Sequence, residues 1–114
     1  MELTLRRIGL AVTGMFLLFT FSGWAQTATG TISGLVQDET GAVVPGANVT
    51  VTNVDKGVNS SLPTDSSGRF HVPSLAPGHY EIQSQMAGFE TGVRKGIQVT
   101  VGSNIEITMT LRVG

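Results

Sequence analysis

From Thr31 to Leu111, apolar side chains recur at every second position over short stretches, and each stretch is cut by Gly, Pro, Asn or Asp. Period two puts alternate side chains on opposite faces of an extended strand, whereas a helix needs a period near 3.6. No segment of this region reads as a helix. The alternation is cleanest at the end, where Ile105, Ile107, Met109 and Leu111 alternate with Glu106, Thr108, Thr110 and Arg112. Seven strands are expected, starting near residues 31, 47, 57, 69, 79, 97 and 104. Short strands at that rhythm fold as a single antiparallel Greek-key sandwich, so the fold class is all-β.

The same pattern assigns an inner face. Ile32, Gly34 and Val36 point inward from the first strand, Ala47, Val49 and Val51 from the second, and Phe70 and Val72 from the fourth. Tyr80, Ile82, Ser84 and Met86 do so on the fifth, and Ile97, Val99 and Val101 on the sixth. Asp38 to Gly41 and Asp65 to Gly68 are turns in which the aspartate accepts backbone N–H groups and the glycine takes positive φ. Pro45-Gly46 and Pro77-Gly78 each read as a type II turn, with Pro presetting one central φ and Gly supplying the left-handed other. Ala87-Gly88-Phe89 breaks the fifth strand, and Gly92, Val93, Arg94, Lys95 and Gly96 form a small basic bend expected to be a solvated connector. The polar stretch from Gly57 to Pro63 is expected at a sheet edge.

Upstream of this region the chain carries an export signal. Arg6 and Arg7 precede an uncharged apolar run from Ile8 to Phe21, too short for the roughly 20 residues that span a bilayer core as a helix. Gly23-Trp24-Ala25 supplies a small-x-small cleavage site. Residues 1–25 are therefore read as a cleaved signal peptide, 26–30 as a short N-terminal linker and 31–112 as the sandwich. Cleavage removes Arg6, Arg7 and Glu2 and takes the formal charge from −1 to −2. The chain has no Cys, ordinary for a bacterial exported domain but unusual for a small eukaryotic secreted one.

These features exclude several classes of function. A near-neutral chain has no basic field to hold a phosphate backbone, so nucleic acid is not an expected partner. Nucleophilic catalysis needs a base and an orienting acid, and the only histidines are His71 on a short strand and His79 in the Pro-Gly turn. Neither is expected to bind metal. Asp38, Glu39, Asp55 and Asp65 could offer oxygens to calcium but stand in separate turns, without the spacing of a dedicated loop. Asn48 and Asn59 head sequons that a bacterial protein matches by chance. No catalytic, cofactor-binding or metal site is expected, and no cofactor.

The residues also carry a family resemblance. Gly34-Leu35-Val36-Gln37-Asp38, Gly41, Pro45-Gly46-Ala47 and Val49, followed by Thr64-Asp65, Gly68-Arg69-Phe70, Leu75, Pro77-Gly78-His79-Tyr80 and Ala87-Gly88-Phe89, resemble the carboxypeptidase regulatory-like domain. That domain's fold is similar to transthyretin. The resemblance covers about Thr31 to Leu111, rests on turn and core positions, and speaks for fold rather than chemistry. It implies a domain of the kind found at the N-terminus of TonB-dependent, Oar-like outer-membrane receptors, although no plug or barrel lies within these 114 residues.

The expected function is a non-enzymatic structural or interaction module of the bacterial envelope, in the periplasm or on the periplasmic side of the outer membrane. It would meet a membrane only through a larger receptor. Its partner would be an envelope protein or the remainder of that receptor, bound by strand addition at the Gly57 to Pro63 edge or by face docking. The alternative is a carbohydrate-binding module with a starch-binding-like fold, using the outward polar set Thr50, Thr52, Gln83, Gln98, Thr100, Thr108 and Thr110. Against it, Phe70, Tyr80 and Phe89 are the only aromatics after the signal and all fall at inward or motif positions.

Overall fold

A computed structural model of the chain describes residues 28–114. The signal peptide expected over residues 1–25 and the start of the linker lie outside them. Seven strands follow in order: β1 (Gly30–Asp38), β2 (Asn48–Asn53), β3 (Val58–Pro63), β4 (Arg69–Leu75), β5 (Gly78–Gln85), β6 (Gly92–Val99) and β7 (Asn104–Leu111). They form two sheets, ordered β4-β1-β7 and β3-β2-β5-β6. A two-layer sandwich is the stable arrangement for sheets that are apolar on one face only.

The inner faces are those the alternation assigns. Ile32, Val36, Phe70, Ile107 and Leu111 are buried from the three-stranded sheet, and Val49, Val51, Tyr80, Ile82 and Val99 from the four-stranded one. A one-residue slip of any strand would turn that strand's share of this set outward, so burial fixes the register. At the centre, Gly34 pairs with Phe70, and a Cβ on Gly34 would collide with the Phe70 ring and the Ile107 carbonyl. Glycine is thus required there by close approach, not by its dihedral freedom.

Four sequence expectations are corrected. First, the sandwich is not wholly antiparallel, because β1 and β7 pair in parallel over Thr31 to Asp38 and Asn104 to Leu111. Period two reports which face a residue takes and says nothing of strand direction. Second, Pro77-Gly78 is not a type II turn: Gly78 already belongs to β5, with φ 156° where such a turn needs about 80°. His79 therefore sits in a strand paired with Gln98. Third, the basic segment from Gly92 to Gly96 is the first half of β6, paired with β5. Lys95 and Gly96 stand where β5 supplies only Glu81, and Gly96 takes φ 73°, so a bulge masks the alternation. Fourth, β6 ends at Val99, leaving Val101 63% exposed in the following turn, while Met86 lies past the end of β5 and is only partly buried.

Candidate functional site

Asp38 and Asp65 act as turn formers. One Asp38 oxygen accepts the Thr40 hydroxyl at 2.6 Å and the Thr40 and Ala42 amides at 2.9 and 3.1 Å. The Thr40 hydroxyl, followed by the backbone donors, holds the Asp38 carboxyl below its ordinary pKa. Asp65 accepts the Ser67 and Arg69 amides, both at 2.9 Å, so it closes the turn that launches β4. Asp55 reaches across to β5, where one oxygen accepts the His79 amide at 3.0 Å and lies 3.1 Å from its ring Nδ1. The backbone donor first and the ring second lower the Asp55 pKa. Among the described residues no three metal-ligating side chains of the His, Cys, Asp and Glu types cluster.

His71 has a partner that sequence reading missed. Ser33 and His71 face each other across β1 and β4, with Ser33 Oγ 2.8 Å from His71 Nδ1. The two are 38 residues apart, so only the register brings them together. Glu106 is the β7 neighbour of Ser33 and lies 3.9 Å from Arg69. With Nδ1 turned to the serine, an orienting carboxylate would have to take the other ring nitrogen, and no such bond exists among the described residues. The pair is a surface polar contact lining a shallow hollow of about 300 Å³.

The polar side chains considered for carbohydrate do not converge. Thr50, Thr52 and Gln83 share the outer face of the four-stranded sheet, where Thr50 pairs with both Ser61 and Gln83. Thr108 and Thr110 lie on β7, in the opposite layer. Gln98 is exposed on β6, and Thr100 lies beyond its end. Phe70 and Tyr80 are each only 4% exposed, and Phe89 is half-buried against the core, so none is a stacking platform.

The sheet edges differ more sharply than the faces. β4 is an edge broken by Pro73 and by Ser74, the one non-glycine residue with positive φ among those described, at 60°. Against Pro73 and Ser74, β1 supplies only Thr31, so the register slips there. β6 is an edge protected by its bulge and by Arg94 and Lys95. The end of β7 is flanked by the β5–β6 connection, with Glu90 N–H donating to the Arg112 carbonyl at 2.7 Å and Gly114 N–H to that of Gly88 at 3.2 Å. β3 alone is an antiparallel edge with an unbroken register, pairing with β2 from Val58 to Pro63, uncharged and exposed at every position but Leu62.

Beside β3 the sandwich opens into a second hollow of about 300 Å³, between β3 and the end of β4. Val51, Val58, Leu75 and Tyr80 give it apolar walls, and Lys56 stands among its lining residues. A hydrogen-bonded strut holds its shape. Tyr80 donates its hydroxyl to the Ala76 carbonyl at 2.7 Å and accepts from Asn53 Nδ2 at 3.3 Å. Asn53 Oδ1 accepts the Asp55 and Lys56 amides at 3.1 and 3.2 Å, which shapes the β2–β3 turn.

Comparison with known proteins agrees with this architecture. Residues 31–112 match the family model of the carboxypeptidase regulatory-like domain. The chain is 31% identical over 104 residues to a TonB-dependent receptor of Formosa agariphila, covering 91% of this chain and 9% of the receptor. It is 29% identical over 109 residues to the TonB-dependent transporter Oar of Myxococcus xanthus, covering 94% of this chain and 10% of the transporter. The chain thus spans about a tenth of the length of these relatives. Among solved structures it is similar in fold to the Bacillus anthracis TIE protein (TM-score 0.65, 21% identity, 75% of this chain and 17% of that one). It is also similar to chlorocatechol 1,2-dioxygenase of Pseudomonas putida (TM-score 0.61, 15% identity, 75% and 60%). A third likeness is to a putative carbohydrate binding protein of Bacteroides uniformis (TM-score 0.58, 15% identity, 72% and 40%). At such identities these three likenesses concern the fold alone.

Proposed function

We propose, from the premise that this chain belongs to the carboxypeptidase regulatory-like domain family, that it is a non-enzymatic, exported module of the bacterial envelope. In this reading residues 1–25 are removed as a signal peptide, 26–30 are a linker, and the sandwich is a structural or interaction domain of a TonB-dependent receptor. The observation that carries it is the match of nearly the whole chain to two TonB-dependent proteins, each roughly ten times its length. The domain would lie on the periplasmic side of the outer membrane. No helix among the described residues is long and apolar enough to cross a membrane; in this reading the domain meets the bilayer only through the larger receptor.

The site chemistry supports a binding role. Asp38, Asp55 and Asp65 are engaged in turn and strand contacts, and Ser33-His71 has no orienting acid among the described residues. What the fold offers instead is an open edge next to an apolar hollow. Cell fractionation with N-terminal sequencing tests the reading. It predicts a chain starting at Gln26 in the envelope fraction, and an intact Met1 in the cytosol contradicts it.

A carbohydrate-binding role is the second reading, favoured by the likeness to the Bacteroides uniformis protein. Saturable amide shifts on addition of soluble oligosaccharides, centred on Thr108 and Thr110 or on Thr50 and Gln83, would establish it. The split of these side chains between two layers predicts no such saturation.

A further inference from the structure

We propose that β3 is a docking edge for an extended polypeptide segment that places an apolar side chain in the hollow beside β3 and a carboxylate against Lys56. The inference rests on the interaction-module reading and specifies its surface and its partner's chemistry.

The backbone shows which groups are available. Thr64 N–H donates to the Ala47 carbonyl at 2.9 Å, and Val54 N–H to the His79 carbonyl at 2.9 Å. Hydrogen bonding alternates along an antiparallel pair, so Leu62, Ser60 and Val58 turn their main chain toward β2. Asn59, Ser61 and Pro63 turn theirs outward. The free edge therefore presents two N–H donors, from Asn59 and Ser61, and three carbonyl acceptors. Pro63 sits at one of the outward positions, where its missing N–H breaks no bond within the sheet.

Side-chain alternation then sets the specificity. Val58 and Ser60 are paired with the inward residues Asn53 and Val51, so they face the space between the sheets. A segment added alongside would direct every second side chain into the same space, past the small Ser60 and toward Val51, Leu75 and Tyr80. An apolar side chain there is favoured by burial. Lys56 supplies charge complementarity: it is the one charged residue lining the hollow and has no ion-pair partner among the described residues. Its acidic neighbour Asp55 already holds His79. A carboxylate at the end of the added segment would meet that ammonium.

The test is a titration of the 15N-labelled 114-residue chain with a capped octapeptide of alternating valine and threonine ending in glutamate. The same peptide ending in lysine serves as the comparison. Expected are saturable amide shifts confined to Asn59, Ser61, Lys56 and Tyr80, and at least roughly tenfold weaker binding by Ser61→Pro. That variant removes an outward N–H without breaking a ladder bond. Ser60→Leu, which fills the hollow from an exposed position, should weaken binding similarly, and Lys56→Glu should reverse the preference for glutamate over lysine. Unfolding curves matching the parent confirm that each variant folds. Shifts on β6 or β7, insensitivity to Ser61→Pro and Ser60→Leu, self-association through β3 in place of peptide binding, or no shift at millimolar peptide would each overturn the proposal. None of these results bears on the fractionation experiment, so failure of this edge is distinguishable from failure of the envelope reading.

Discussion

Ser84 lies on β5 with no exposed surface, and its hydroxyl has no hydrogen-bond partner. An unsatisfied buried hydroxyl is a net loss relative to water, so Ser84→Ala should stabilise the sandwich by about 1 kcal/mol. Urea unfolding checks this, and a lower midpoint in the variant would reveal a partner for the hydroxyl. Asp55 gives a second prediction with a definite sign. Its pKa lies below the ordinary 3.8 because the His79 amide and ring favour the carboxylate. The contribution to stability is therefore complete above the unfolded pKa and is lost as pH falls through the lower, folded value. Denaturant midpoints should decline below about pH 4, and Asp55→Asn should flatten part of that decline. An unchanged slope in the variant would mean that the contact with His79 is not formed in solution.

At the scale of elements, β1 is covered by β4 through the contact of Phe70 with Gly34. Phe70→Ala should cost about 3–5 kcal/mol, enough to unfold many small domains. Gly34→Ala, which drives a methyl into the same ring, should cost about 1–3 kcal/mol. A loss below about 1 kcal/mol for Phe70→Ala in denaturant melts would show that the ring is not part of the core. The elements differ in how legible they were in sequence. β7 and β2 were plain because Ile107 to Leu111 and Val49 to Val51 alternate without interruption against one buried layer. β6 was half hidden, since its residues up to and through the bulge, Gly92 to Gly96, include none that is buried, and the apolar period begins only at Ile97. The parallel pairing of β1 with β7 left no trace, because direction is decided by the path of the whole chain. The edge character of β3 was legible from its polarity. The hollow beside it was not, since it is built from β2, β3, β4 and β5 at once.

For the molecule as a whole, burial accounts for the two layers, and turn and strand contacts for Asp38, Asp65 and Asp55, leaving the β3 edge as the feature that the fold does not itself consume. β3 keeps the one uninterrupted antiparallel edge while the others are broken, charged or flanked, and such an edge is the kind that accepts an added strand. The measurement that tests this most directly is amide hydrogen exchange of the chain in outer-membrane vesicles from its own cells against the purified chain. The account predicts that peptides spanning Val58 to Pro63 become protected in the vesicles, with the β6 edge unchanged. Identical exchange at β3 in both preparations would contradict it.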